Sequence, residues 1–168
     1  VVAGGYLEPR TVYDTSAYDK MGNMGMESRT IHLGVDYWLP VGTAIHALLD
    51  GEIVVCVHQS DAKEYGGLII LKHEEDGVTF YTLYGHLSKE SIANRKIGQM
   101  ILAGHHIGDI GNYEEKGNWA PHLHFQILLS LIGYTDDFPG VAYHRQINIW
   151  KSLCPDPNLL FSYSQEDS

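Results

Sequence analysis

Basic residues are scarce in this chain: 11 Lys and Arg stand against 21 Asp and Glu, for a formal net charge of -10. No local basic patch offsets that balance, which argues against a nucleic-acid backbone or an anionic membrane surface as a partner. Cysteine is nearly absent. Cys56 and Cys154 are too few for a disulfide framework and too far apart for a CxxC metal knuckle, so free thiols are expected. No apolar run approaches the roughly 20 residues that a membrane-spanning helix needs. Helical periodicity is almost missing before Val141. A Met start and a basic-then-apolar leader are missing too, so the chain reads as a processed protein or a domain of a larger one.

What is present is a globular composition, 44% hydrophobic and 19% charged over 168 residues, enough for one domain with its own core. Short β-branched runs over 31–38, 44–48, 52–58, 68–73, 78–84, 100–102 and 122–131 read as strands. Turn signals separate them, including Asp50-Gly51 and Asp76-Gly77, both of which suit tight hairpins. The expected fold is therefore mainly β, an antiparallel sheet or small sandwich. Ser88 is expected to cap one helical turn reaching Asn94, and residues 141–153 can form a short C-terminal helix. Residues 1–29 read as an irregular arm, 30–131 as the β core, and 132–168 as an extension packed on or trailing from it, with an extended or frayed tail after Cys154.

Three of the histidine contexts carry chemistry: His32-Leu33-Gly34-Val35-Asp36, Tyr84-Gly85-His86-Leu87 and Pro121-His122-Leu123-His124-Phe125. In a straight strand His32 and Asp36 would lie about 13 Å apart, too far to share one ion, so the segment must bend, and Gly34 permits the bend. His122 and His124 share a strand face about 6.6 Å apart, so one can ligate an ion while the other stands beside it. Two neutral imidazoles and one carboxylate leave a tetrahedral zinc with one open position, the arrangement of a catalytic site. His86 and His122 are candidates to take a proton or to stabilise an oxyanion. His46, His58, His73, His105, His106 and His144 have no partner at a useful spacing and read as packing or surface residues. Phe80, Tyr81 and Tyr84 read as sheet packing, and Asp136-Asp137 as a solvated loop pair.

Taken in order, these three motifs resemble the LytM/lysostaphin-type zinc metallopeptidases, with matching stretches at Gly42-Thr43, Asp50-Gly51-Glu52-Ile53-Val54 and Ile107-Gly108-Asp109-Ile110-Gly111. The resemblance covers about residues 30–128. It implies an antiparallel β core with an open groove, zinc held by His32, Asp36 and His124, and His86 and His122 as catalytic histidines. It also implies hydrolysis of a peptide bond by a metal-activated water, in peptidoglycan-type or glycine-containing peptides. The groove walls are expected from residues 61–66 and 112–120.

The ends of the chain, 8–13 and 152–160, are instead similar to a peptidase-like domain fused between kinase-like and class III aminotransferase-like domains. That setting implies a second reading, a weakly active or non-catalytic metal-binding interaction module held among neighbouring domains. The location is cytoplasmic in that case and extracytoplasmic for a cell-wall hydrolase. A lipoyl or biotinyl carrier is set aside, because Lys72 sits within a strand run and Lys96 lacks a neighbouring Met or Ala.

Overall fold

The computed structural model describes residues 2–10, 19–22, 25–59, 65–112 and 120–162. The strands are β1 (Val2–Gly4), β2 (Asp19–Gly22), β3 (Gly25–His32), β4 (Val35–Trp38), β5 (Ala44–His46), β6 (Gly51–His58), β7 (Gly67–Glu75), β8 (Val78–Leu87), β9 (Met100–Ile101), β10 (His106–Asp109), β11 (His122–Leu128) and β12 (Val141–Tyr143). The helices are α1 (Lys89–Ala93), α2 (Ile147–Leu153) and α3 (Leu159–Ser162). Seven strands form one antiparallel sheet in the order β1-β4-β11-β8-β7-β6-β9, flanked by the pair β10-β5 and the three-stranded sheet β12-β3-β2. The fold is mainly β and antiparallel, as the sequence pattern suggests.

Both faces of the large sheet are covered, which explains why its central strands read as unbroken apolar runs rather than alternating ones. Along β7, Ile69 and Leu71 enter one core cluster with Tyr84, Phe125 and Ile127, while Leu68 and Ile70 enter the other with Leu33, Leu83 and Phe138. Every residue of β11 is buried. The β7–β8 hairpin turns through Asp76 at φ 49° and Gly77 at φ 78°, the two positive-φ positions a tight hairpin requires. α1 begins at Ser88, whose hydroxyl accepts from the Ser91 backbone N–H at 3.1 Å.

The structure differs from the sequence pattern in four places. Asp50-Gly51 is not a hairpin: β5 pairs with β10 and β6 with β7, so the strands on either side lie in different sheets. Gly51 is needed for close approach, since a Cβ there would stand 2.8 Å from the His73 ring. Within 1–29, read as an irregular arm, Val2–Gly4, Asp19–Gly22 and Gly25–His32 are strands. β1 has little propensity of its own and forms because β4 offers it an unpaired edge. Val141–Tyr143 is a strand paired to β3, and the helix starts only after a 3-10 turn at His144–Gln146. Past Cys154, read as extended or frayed, Leu159–Ser162 is a short helix, while residues 163–168 lie outside the described residues. Both cysteines are free, and burial pushes the Cys154 thiol up to about 12.

Candidate metal centre and catalytic groove

His32 ends β3, Asp36 lies in β4 and His124 in β11, so the chain breaks at Leu33-Gly34 and returns the carboxylate towards the imidazole. Gly34 has a role beyond the bend: a Cβ there would lie 2.5 Å from the Phe125 carbonyl oxygen and 2.9 Å from two atoms of the His124 ring. Asp36 and His124 are register partners on adjacent strands, which sets their separation by the sheet ladder itself.

The three groups are buried and form the metal-competent cluster found among the described residues. His32 Nε2 and His124 Nδ1 are 3.0 Å apart, His124 Nδ1 is 3.0 Å from Asp36 Oδ1, and His32 Nε2 is 3.1 Å from the same oxygen. The outer ring nitrogens decide where the protons sit. His32 Nδ1 faces the Gly5 carbonyl at 3.1 Å, and a carbonyl can only accept, so this nitrogen donates. His124 Nε2 faces Gln126 Oε1 at 3.0 Å, and the Gln126 amide is oriented by donating to the Pro139 carbonyl. In neutral rings the inner nitrogens, His32 Nε2 and His124 Nδ1, are therefore bare lone pairs.

Two lone pairs and a carboxylate oxygen thus face one another at 3.0–3.1 Å with no proton among them. That is unfavourable without a cation, and close to the spacing of about 3.3 Å that a tetrahedral ion with bonds near 2.0–2.1 Å requires. Burial pushes His32 below the ordinary imidazole value. The Arg10 guanidinium, donating to Oδ2, compensates the charge of the buried Asp36 carboxylate. Neutral imidazole and ionised carboxylate are the states a metal ligand must adopt.

His122 is two residues before His124 on the same face. Its Nδ1 donates to the Ala120 carbonyl at 2.6 Å, which leaves Nε2 turned to the site, 3.6 Å from Asp36 Oδ2. His86 reaches the same place by an unusual route. Strict alternation along β8 would put it on the face of Tyr84 and send Leu87 to the face of Gly85. Instead Leu87 joins the core cluster of Tyr84, and the His86 ring lies 4.2 Å from that of His122. The switch is made by a left-handed backbone at His86, φ 66°, a strained conformation for a residue with a Cβ. All five motif residues are therefore brought together and buried.

Four residues here carry no spacing signal in the sequence. Gln126 fixes the His124 tautomer, Arg10 pairs with Asp36 Oδ2, and Tyr65 packs its ring 5.3 Å from His124. Trp38, 40% exposed, lies against His122 and lines a cavity of about 510 Å³ with Gly4, Glu8, Arg10, Asp36, Ala120 and His122. The expected groove walls fall mostly outside the described residues, at 60–64 and 113–119.

Residues 30–132 match the model of peptidase family M23. The chain belongs to that family. It is 37% identical over 136 residues to lysostaphin of Staphylococcus staphylolyticus, covering 76% of this chain and 25% of that one. It is 33% identical over 98 residues to peptidoglycan DD-endopeptidase ShyA of Vibrio cholerae, covering 58% and 20%. Its fold is similar to the catalytic domain of lysostaphin from Staphylococcus simulans, with a TM-score of 0.53 at 29% identity over 89% of this chain and 92% of that one. The M23 chain thus spans only a fifth to a quarter of the length of these curated relatives.

Proposed function

We propose that this M23 domain is a zinc-dependent endopeptidase, with the ion held by His32, Asp36 and His124. The observation that carries the reading is the convergence of two bare imidazole nitrogens and one carboxylate oxygen within 3.1 Å in a buried position. Zinc bound there supplies a Lewis acid that polarises a scissile carbonyl and activates water near neutral pH. The protein's own groups do the rest. His122, its Nδ1 tied to Ala120, can exchange a proton only through Nε2, which faces the site. As an imidazolium it is stabilised by Asp36 Oδ2 beside it. His86, ring to ring with His122, is placed to donate to an oxyanion or to carry the second proton to the leaving amine.

The substrate reading rests on relatives: ShyA is named a peptidoglycan DD-endopeptidase and ALE-1 of Staphylococcus capitis a glycyl-glycine endopeptidase. Peptidoglycan-type or glycine-containing peptides are accordingly the proposed substrates, entering over Trp38. The fused setting with kinase-like and aminotransferase-like domains draws no support from these relatives. The test is elemental analysis of protein purified without added metal, followed by hydrolysis of pentaglycine and stem-peptide mimics. About one zinc per chain with turnover that a chelator abolishes is expected. Zinc without turnover would favour the metal-binding interaction module, and no zinc after its addition would sink the catalytic reading.

A further inference from the structure

We infer that residues 4–10, which precede the family-matched region, are part of the metal centre, and that Arg10 is the positioning residue for Asp36. The inference rests on the zinc reading above. Residues 7–10 run antiparallel along 30–32: Leu7 N–H donates to the His32 carbonyl at 2.8 Å, His32 N–H to the Glu8 carbonyl at 3.1 Å, and Arg10 N–H to the Thr30 carbonyl at 2.9 Å. This places the Arg10 guanidinium over β4, where Nη1 donates to Asp36 Oδ2. Glu8 steadies the other side of the fork, its Oε2 lying 3.5 Å from Arg10 Nε and accepting from the Gly5 N–H at 3.2 Å. Gly4 makes room, since a Cβ there would stand 2.6 Å from Arg10 Nη2.

The consequence for the ligands is specific. Asp36 has two oxygens and only one, Oδ1, faces His32 and His124. Arg10 holds the other, so the carboxylate cannot rotate about its terminal bond and presents a single oxygen to the ion. The same segment fixes His32, because the Gly5 carbonyl accepts from its Nδ1–H. Without Arg10, the 1%-exposed Asp36 would keep, among the described residues, only His122 near Oδ2, at 3.6 Å. A carboxylate freed in that way can turn Oδ1 away from the facing imidazole nitrogens, which weakens metal binding.

The test compares the full chain with Arg10→Gln and Arg10→Lys. Zinc dissociation constants are measured by competition with a chromogenic chelator, visible spectra are recorded after loading with cobalt(II), and the thermal midpoints of the metal-free forms are compared. Arg10→Gln is expected to bind zinc about 10–100-fold more weakly and to change the cobalt spectrum, with a metal-free midpoint below the parent's because Asp36 loses its buried partner. Arg10→Lys should recover part of the affinity, because it returns the charge without the fork. Zinc binding by Arg10→Gln as tight as the parent's, or tighter, would overturn the inference and make Arg10 a mere stand-in for a cation. Should Arg10→Gln fail to fold, the lysine variant decides by the same measurement, parent-like affinity and spectrum again overturning it. A parent that binds no zinc would overturn the metal reading itself, a distinguishable result.

Discussion

Gly34→Ala is the most informative single-atom perturbation of this site. The added methyl would lie 2.5 Å from the Phe125 carbonyl oxygen and 2.9 Å from Cε1 and Nε2 of His124, all inside the contact distance that real Cβ atoms observe. The carbonyl belongs to β11, which pairs with β4 on one side and β8 on the other, so it cannot retreat without loosening the ladder. The ring cannot retreat without leaving Gln126 and Asp36. Overpacking against fixed neighbours typically destabilises by about 1–3 kcal/mol. With a urea slope of about 2 kcal/mol/M, the unfolding midpoint should fall by about 0.5–1.5 M. Because that ring is one of the proposed ligands, zinc affinity should fall as well, by about 10-fold or more. Gly42→Ala is the control: φ is +78° there but nothing lies within 4 Å of a built Cβ, so it should lose about 1–2 kcal/mol of stability and no zinc affinity. Urea titration and zinc competition on both variants give the answer. If Gly34→Ala kept parental zinc affinity, or unfolded at the parental urea concentration, the close-approach argument would be refuted.

Three further outcomes are expected. His124→Ala should abolish zinc binding, whereas His122→Ala should keep most of the zinc and lose about 10²–10⁴ in rate, as read by elemental analysis and peptide turnover on the same samples. His86→Asn should fold, since Asn tolerates positive φ, yet lose most of its turnover; a variant with parental kcat would remove His86 from the mechanism. Acid should destabilise the protein partly through His73, which burial pushes below its ordinary value and whose nitrogens face the Asp50 carbonyl and the Thr82 hydroxyl at 2.7 Å each. The unfolded chain takes up that proton first, so stability is full above about pH 6.5 and falls as pH drops through it. His73→Gln should show a shallower fall of the urea midpoint between pH 6.5 and 5.

The strands, the Asp76-Gly77 hairpin, the Ser88 cap and the five motif residues that the fold brings together were legible because each is a local signal: β-branched runs, a turn dipeptide, a cap, and motifs in a fixed order. What was not legible depends on contacts between distant residues. Nothing in the alternation of β8 announces that His86 changes face; period two would send it into the core beside Tyr84. Arg10 sits 26 positions from Asp36 in a stretch with no periodicity, and it becomes relevant only because residues 7–10 lie along residues 30–32. β10 lies in a Gly-rich stretch outside the β-branched runs, and it forms because β5 is there to pair with it. Gly34 and Gly51 look like bend and turn glycines, and both also make room for a histidine ring.

The proposed ligand triangle also joins two layers of the architecture. Asp36 and His124 share one ladder of the seven-stranded sheet, whereas His32 ends a strand of the smaller β12-β3-β2 sheet. An ion held by all three acts as a rivet across the seam between those sheets. Partial opening of the smaller sheet would pull one corner out of the triangle long before the large core unfolds, so metal retention reports how firmly the two layers are seated. Sequence changes in the small sheet, remote from any substrate, would then appear first as metal loss and only later as loss of fold.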